Sequence, residues 1–321
     1  MKKVFAILKS KKDRNKDYDC ILAFSGGRDS SYLLYYLVKV LNLKVLAYSV
    51  DNGFIPEQTK LNMKNATNIL NVKLVIENHD YLEKCLKHHI LAWIHRPTPA
   101  MIGVLCTGCR LGMDIRILNF AKKNKIPIVI SGGNPFEGGS YKFNIMKITN
   151  NKKNYALYYI LGYLLQIIRN PRWIMKPTCL ITQIKEYYYH YFRAIKMEKK
   201  LSILRISPYY SYIRWKENEI ISTIKTKLNW KNHPAIESTW RGDCDVSLLK
   251  SYLYKKTLGF NDKDDSLSTL IRDNQITREE ALERLKKEEI SKKVIEETLE
   301  KLRLKLRLNY LNFKTLYEML E

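Results

Sequence analysis

Between residues 18 and 133 the pattern of apolar and polar positions switches repeatedly between short β-rich runs and stretches with helical spacing. Short runs rich in aliphatic and β-branched residues predict strands at Asp19–Phe24, Lys44–Val50, Val72–Glu77 and Ile126–Ser131. Between these runs, apolar residues recur every three or four positions, which predicts helices over Ser30–Leu41, Pro56–Leu70, Tyr81–Ile94 and Gly108–Lys123. The alternation of strand and helix predicts an α/β fold with a doubly wound parallel sheet.

Each predicted strand ends in a polar or glycine-rich turn. In open α/β sheets, ligands bind beyond the carboxyl ends of the strands. We therefore expect the turns after Phe24, Val50 and Ser131 to converge on one crevice.

The pattern changes beyond this core. Residues 141–232 contain 18 Lys or Arg and four Asp or Glu, a local net charge of +14. They include the apolar run Tyr155–Ile168, which is shorter than the ~20 residues of a membrane-spanning helix. Burial against another element is the favoured interpretation of this run, and membrane association is the alternative. From Thr277 onward the pattern is helical, and Thr277-Arg-Glu-Glu280 has the spacing of a capping box.

These shifts predict three parts. An α/β domain covers 1–140, a basic, aromatic-rich helical insertion covers 141–232, and a segment with a helical C-terminal tail covers 233–321. A length of 321 residues excludes a single small module. The net charge of +24 favours an anionic partner such as nucleic acid, a nucleotide or a lipid surface.

Cysteine usage and the N-terminus bear on the compartment. Six cysteines are too few for a disulfide scaffold at this length. The N-terminal residues lack the apolar region of ~7–15 residues that a secretory signal needs. The sequence therefore predicts a cytoplasmic location.

The strongest chemical signal follows the first predicted strand. Residues 25–31 read Ser-Gly-Gly-Arg-Asp-Ser-Ser and lead directly into a helix. Backbone N–H groups, hydroxyls and a helix N-terminus at one point would form an anion cradle, and two glycines would let a phosphate approach the backbone closely. A plain strand-to-helix turn capped by Asp29 or Ser30 explains the same residues. The spacing differs from that of a Walker A loop.

This run resembles the S-G-G-x-D-S signature of the PP-loop ATP pyrophosphatase superfamily, with Arg28 where Lys is common. The resemblance extends to Asp51-Asn52-Gly53-Phe54 and to Gly132-Gly133-Asn134-Pro135, which follow two further strands. In that superfamily ATP is cleaved between its α and β phosphates, AMP passes to a substrate carbonyl oxygen, and a nucleophile displaces the AMP. A cradle that stabilises the departing pyrophosphate fits this chemistry.

The resemblance implies roles for individual residues. Arg28 and Asp29 would be catalytic, and Asp29 and Asp51 would contact Mg²⁺. ATP would be bound by Ser25, Gly26, Gly27, Asp29, Ser30, Ser31, Asp51, Asn52, Gly132 and Gly133.

A second signal is the C-x-x-C pair Cys106 and Cys109, which suits a metal half-site, a redox pair or two buried residues. In the PP-loop enzymes that thiolate tRNA, such a pair and one later cysteine hold a [4Fe-4S] cluster with one open iron. The later cysteine follows an R-P-L-x-Y-x-x-E-x-x-I stretch, and residues 206–217 resemble a loosened version of it before Cys244. The resemblance implies Cys106, Cys109 and Cys244 as cluster ligands, with the first two catalytic. Cys179 is the competing third ligand.

The chain also resembles the N-acetyl sugar amidotransferases of surface polysaccharide synthesis. This likeness rests on S-G-G-x-D-S-S, D-N-G-F and G-x-N-P in that order, and on a tail running from Gly259-Phe260 to Ile276-Thr-Arg-Glu-Glu-Ala281. Those enzymes receive ammonia from a separate glutaminase subunit. Neither resemblance covers the basic insertion.

The favoured prediction is ATP-dependent adenylation of a carbonyl followed by sulfur transfer from a [4Fe-4S] cluster. The alternative is an N-acetyl sugar amidotransferase, and a third possibility is a non-catalytic basic protein that binds nucleotide and docks on RNA or membrane. The expected partners are tRNA or a nucleotide sugar as anionic substrate, a sulfur donor or a glutaminase, and a second copy in a homodimer.

Overall fold

The computed structural model describes residues 17–78, 80–137, 141, 145, 155–188, 202–234, 236–287, 292–309, 314 and 318. Residues up to 16 lie outside the described residues, as do the parts of the predicted basic insertion at 142–144, 146–154 and 189–201.

Five parallel strands form one sheet in the order β3-β2-β1-β4-β5. Their bounds are Cys20–Ala23 (β1), Val45–Asp51 (β2), Lys73–Asn78 (β3), Ile128–Ser131 (β4) and Leu204–Ile206 (β5). Ile21 pairs with Leu46 on one side and with Val129 on the other, so β1 is central. The chain winds outward from β1 to β3 and then returns to the other side of β1 with β4. This order confirms the predicted doubly wound α/β fold.

Helices follow the strands and continue through the second half of the chain. The first five are Arg28–Tyr35 (α1), Glu57–Leu70 (α2), Asp80–His95 (α3), Pro99–Ile102 (α4) and Thr107–Lys123 (α5). The next four are Tyr155–Arg169 (α6), Pro177–Tyr188 (α7), Pro208–Ser211 (α8) and Glu217–Leu228 (α9). The last four are Asp245–Leu258 (α10), Asp262–Arg272 (α11), Arg278–Lys287 (α12) and Lys292–Leu306 (α13).

Local chemistry explains where the elements begin and end. The fourth strand begins at Ile128, two residues later than predicted, and Pro127 before it has no N–H to donate to a strand ladder. Asn71 ends α2 in the left-handed conformation, which asparagine tolerates better than most residues. The backbone N–H of Glu280 donates to Thr277 Oγ1 at 3.1 Å, so α12 begins at the predicted cap.

Two features differ from the prediction. The strand β5 has three residues within the predicted basic helical insertion, and its edge position supports so short a strand. The first helix begins two residues earlier than predicted and widens into a π-helical turn at Tyr36–Val40.

The chain forms two compact units, each discontinuous in sequence. The first contains the described residues within 1–78, 113–137 and 195–244, and therefore the whole sheet. The second contains those within 79–112, 138–194 and 245–321. The three-part division at residues 140 and 232 stays a prediction.

Each unit buries apolar residues of its own. In the first unit the residues of β1, β2 and β4 are mostly buried, and Ile21, Leu22 and Leu33 are fully shielded. In the second unit α10 packs on α4 and α13, and α13 packs on α3. Within the described part of the chain, every helix is too short or too polar to cross a membrane.

Candidate functional site

The turn between β1 and α1 forms one wall of a cavity in the first unit. Gly26 has a φ of +73°, the left-handed conformation that favours glycine. Ser25 Oγ lies 3.2 Å from Ser30 Oγ and accepts a hydrogen bond from the Gly27 backbone N–H at 3.3 Å. The turn thus gathers two hydroxyls and the N-terminus of α1.

The glycines after β4 form a second wall. A Cβ atom on Gly132 would lie 3.3 Å from the backbone nitrogen of Ser30, so the two turns approach as closely as glycine permits. They meet between β1 and β4, where the winding direction of the sheet reverses, which is the usual ligand position in such sheets. The cavity has a volume of about 260 Å³. Besides Ala23, its lining comprises Ser25, Gly26, Gly27, Arg28, Asp29, Ser30, Thr59, Asn62, Gly132, Gly133, Glu137, Trp230, Lys231, His233, Thr239, Trp240, Arg241, Gly242 and Asp243.

The Asp29 carboxylate is held from three directions. Its Oδ1 accepts from Arg28 Nε at 3.1 Å and from Trp215 Nε1 at 2.8 Å, and its Oδ2 accepts from Asn134 Nδ2 at 2.8 Å. The Tyr209 hydroxyl donates to the Asp29 backbone carbonyl at 2.8 Å. These hydrogen bonds fix Asp29 and with it the first turn of α1. Because the donors occupy both carboxylate oxygens, Asp29 has little capacity left to coordinate a metal.

The Arg28 guanidinium lies inside a polar and aromatic cage. Its Nη1 donates to Glu217 Oε1 at 3.0 Å and to Thr239 Oγ1 at 2.9 Å. Its Cζ lies 4.0 Å from the ring centroid of Trp240 and 4.8 Å from that of Trp215, within the range of cation–π attraction. Arg28 is 3% exposed and therefore links α1 to the segment around Trp240 from inside the protein.

A segment near the end of the first unit, residues 230–243, closes over the glycine turn. Trp230 Nε1 donates to the Gly26 carbonyl at 3.0 Å. Asn62 on α2 donates to the Lys231 carbonyl at 2.7 Å and accepts from its backbone N–H at 3.0 Å. Thr59 Oγ1 donates to the Gly242 carbonyl at 3.3 Å. These bonds fix a distant part of the sequence against the turn between β1 and α1.

Charges of both signs surround the cavity. Asp243 Oδ2 would lie 3.0 Å from a Cβ atom on Gly27, so this carboxylate stands directly beside the turn. Arg241 forms an ion pair with Glu137 at 3.5 Å. Desolvation raises the pKa of Glu137, the carboxylates of Asp29 and Asp243 raise it further, and Arg241 opposes the shift. An anion entering here meets backbone N–H groups together with carboxylates, so an accompanying cation would relieve the repulsion.

Three of the predicted ATP-binding residues lie outside the cavity lining. Ser31 is buried, and its Oγ makes no hydrogen bond to the described residues. Asp51 closes β2, and its Oδ1 accepts from the Gly53 backbone N–H at 2.7 Å. Asn52 Oδ1 accepts from the Phe54 backbone N–H at 2.9 Å. The Asp51 and Asn52 side chains thus shape the turn after β2.

The cysteines are divided between the two units. Cys244 ends the first unit, and Asn52 Nδ2 donates to its Sγ at 3.6 Å. Cys106 belongs to the second unit and is half-buried, and the side chain of Cys109 lies outside the described residues. A hydrogen bond from Cys85 lowers the pKa of the competing ligand Cys179 to about 7. Among the described residues, no three His, Cys, Asp or Glu side chains are placed to hold a metal ion. The three-cysteine cluster stays a prediction.

Several residues around the cavity have no local sequence signal. No site role for Glu217 or Trp240 follows from the sequence, whereas the structure places both against Arg28. Trp230, Asn62 and Asp243 likewise reach the glycine turn through tertiary contacts. An unusual density of tryptophan between 215 and 240 is the one feature that hints at them.

Fold and site together define an α/β protein with a glycine-rich, anion-cradle-like turn at the point where its parallel sheet reverses. Residues 232–320 match the family described as LPS biosynthesis protein WbpG-like, C-terminal domain. The match includes the cavity-lining residues from His233 to Asp243. The chain is also 39% identical over 82 residues to the uncharacterized protein MJ1599 of Methanocaldococcus jannaschii. That alignment covers 26% of this chain and 30% of the relative.

Proposed function

We propose that this protein is an ATP-dependent, AMP-forming amidotransferase that acts on the N-acetyl group of a sugar destined for surface polysaccharide. One observation carries the proposal. The cavity beside the S-G-G-R-D-S turn is completed by residues 233–243, which lie within the match to a family named for lipopolysaccharide biosynthesis. The match supports the amidotransferase alternative from the sequence better than it supports thiolation.

The proposed reaction has two steps. The acetamido oxygen attacks the α-phosphorus of ATP, the bond to the β-phosphate oxygen breaks, and pyrophosphate leaves. Ammonia then adds to the carbonyl carbon, and AMP departs with the original oxygen after proton transfer. The amide becomes an amidine, and no oxidant or reductant is required.

In this scheme the chain's own residues supply position and electrostatics. The backbone N–H groups of Gly27 and of the first turn of α1, with Ser25 and Ser30, bind the phosphates of ATP. Asp29 and Arg28 hold that turn in shape through their hydrogen bonds and therefore act as positioning residues. Preorganised donors of this kind lower the barrier because they need no rearrangement as charge develops on pyrophosphate.

The cavity offers Mg²⁺ a different carboxylate from the two that the sequence suggested. Asp29 is occupied by three donors and Asp51 lies outside the cavity lining, so the pair predicted from the sequence is poorly arranged to hold the ion. Mg²⁺ commonly binds through one or two carboxylates together with substrate phosphates and water. Asp243, whose carboxylate lies beside Gly27, would take that role, and the ion would offset its repulsion of the phosphates.

The test is product analysis with purified protein, ATP, an ammonium salt and a nucleotide-linked N-acetyl sugar. Ammonium salt replaces the partner glutaminase. We expect AMP and pyrophosphate in equal amounts, with formation dependent on both sugar and ammonia. An Asp243→Asn variant should lose about 10²–10³-fold in rate. The control Asp273→Asn changes a carboxylate of the second unit and should retain the wild-type rate.

Two outcomes contradict the proposal. Release of ADP and orthophosphate would show cleavage at the wrong phosphate. Iron and sulfide in anaerobically purified protein, with product formation dependent on them, would restore the thiolation prediction.

A further inference from the structure

The second unit exposes an apolar face on the helix α6. Leu161, Leu164, Leu165 and Ile168 follow the i, i+3, i+4, i+7 spacing of one helical face, and all four are exposed, Ile168 at 74%. Ile174 and Met175 follow in the next turn, with Met175 72% exposed. Ile181 and Ile184 on α7 are about half exposed. Scattered apolar residues are normal on a protein surface, but a continuous apolar face marks an interaction site.

The opposite side of α6 packs against the rest of the second unit, so the exposed apolar residues face outward. Tyr163 and Ile167, which lie between the exposed positions, are buried. After the helix, Asn170 Nδ2 donates to the Ala92 carbonyl of α3 at 2.7 Å. The Trp173 carbonyl lies 3.2 Å from His88 Nε2, and the buried Trp173 ring contacts the rings of His88 and His89 on α3.

Positive charge accompanies the apolar face. From Tyr155 to Tyr188 the sequence has four basic residues and one acidic residue. Arg169 and Arg172 flank the end of α6, Lys176 precedes α7, and Lys185 lies in its last turn, all with exposed side chains. Long basic side chains beside an apolar helical face can extend to phosphate headgroups while their methylene groups stay among the apolar residues.

We propose that the apolar face of α6 and the turn after it, residues 161–175, bind the protein to an anionic phospholipid membrane surface. The helix α6 would lie in the plane of the interface with its outward leucines and isoleucine among the acyl chains, and the flanking bases would contact anionic headgroups. This inference is independent of the chemistry proposed above.

The test is co-sedimentation of the full chain with phosphatidylcholine vesicles, with and without phosphatidylglycerol, over a series of salt concentrations. We expect binding to the anionic vesicles that weakens with salt, and little binding to neutral ones. The variant Leu164→Gln/Ile168→Gln keeps every charge. It should bind at least about tenfold more weakly, because glutamine lacks the favourable free energy of transferring an apolar side chain from water into the acyl region. The control Leu282→Gln/Leu304→Gln replaces exposed leucines on α12 and α13 and should bind as wild type.

Unchanged binding by the α6 variant would overturn the proposal, because the net charge alone would then explain adsorption. Sedimentation velocity tests the alternative that a second copy of the chain covers this face. A wild-type dimer that the α6 variant converts to a monomer, without vesicle binding, would make the face an interface between copies and would also overturn the proposal.

A second measurement needs no variant. Met175 is well exposed in the free protein, so peroxide should oxidise it readily. Bound anionic vesicles should slow its oxidation severalfold as measured by mass spectrometry. Equal oxidation with and without bound vesicles would contradict the proposed orientation.

Discussion

Removing the Glu217 carboxylate tests whether the buried network around Arg28 stabilises the first unit. Glu217 Oε1 accepts from Arg28 Nη1 at 3.0 Å and from Trp240 Nε1 at 2.9 Å, and Glu217 is 2% exposed. In Glu217→Ala both donors lose this acceptor, and the guanidinium retains Asp29 as its carboxylate partner. Breaking a buried ion pair costs ~3–5 kcal/mol. We expect Glu217→Ala to lower the free energy of unfolding by about that amount.

The conservative variant separates charge from hydrogen bonding. Glu217→Gln keeps an acceptor oxygen in the same place, so the loss should be about 1–2 kcal/mol. Glu219→Ala is the matched control. It lies on the same helix, is exposed, and accepts one hydrogen bond from the Tyr32 hydroxyl at 2.9 Å. Its expected cost is about 1 kcal/mol.

Urea unfolding followed by tryptophan fluorescence measures these effects. Trp215, Trp230 and Trp240 belong to the first unit, so the emission reports largely on it. The shift in midpoint multiplied by the slope gives the change in free energy. A Glu217→Ala protein within about 1 kcal/mol of wild type would refute the reasoning, since the pair would then contribute little.

Three further predictions concern other parts of the chain. Gly26→Ala should abolish nucleotide binding and lower the free energy of unfolding by about 2–4 kcal/mol in urea titrations, because its Cβ would overlap Met63 in a left-handed backbone. Gly259→Ala, also left-handed but in open space, should cost only ~1–2 kcal/mol, and equal losses would contradict this. Burial lowers the pKa of His89 to about 3, so unfolding takes up a proton as pH falls below 6.5. The contribution of His89 to the free energy of unfolding should be complete above pH 6.5 and lower by about 2 kcal/mol at pH 5. His89→Gln should reduce the slope of the unfolding free energy against pH over this range. Cys244→Ser should retain amidation in the ammonium assay, and joint loss of activity and a brown chromophore would favour the thiolation prediction instead.

The parts of the fold with strong local patterns could be predicted from the sequence. The apolar run ending at Phe24 and the glycines after it are nearly consecutive in sequence, so the first strand and its turn can be predicted from local sequence. The strand Leu204–Ile206 is different, because three residues carry no periodicity and its place at the sheet edge depends on pairing with β4.

The candidate site was harder to predict than the turn at its centre. The bond from Arg28 to Glu217 spans 189 positions, and the bond from Trp230 to Gly26 spans 204. Neither contact follows from any local rule, because both depend on how the second half of the chain returns to the sheet. The resemblance of the glycine turn to a known signature indicated Asp29, but the role of Asp29 in fixing α1 is visible only in three dimensions.

The closure of the glycine turn by residues 230–243 has a consequence for biosynthesis. When a ribosome has made the first 137 residues, four strands of the sheet can pair. The Gly26 carbonyl still lacks Trp230, and the Arg28 guanidinium still lacks Glu217 and Thr239. Contacts of such long sequence separation form late and slowly in folding. Ribosome-bound chains halted before residue 230 should therefore bind no nucleotide. Under the proposed function, this dependence would keep nascent chains from cleaving ATP before residues 230–243 have been made.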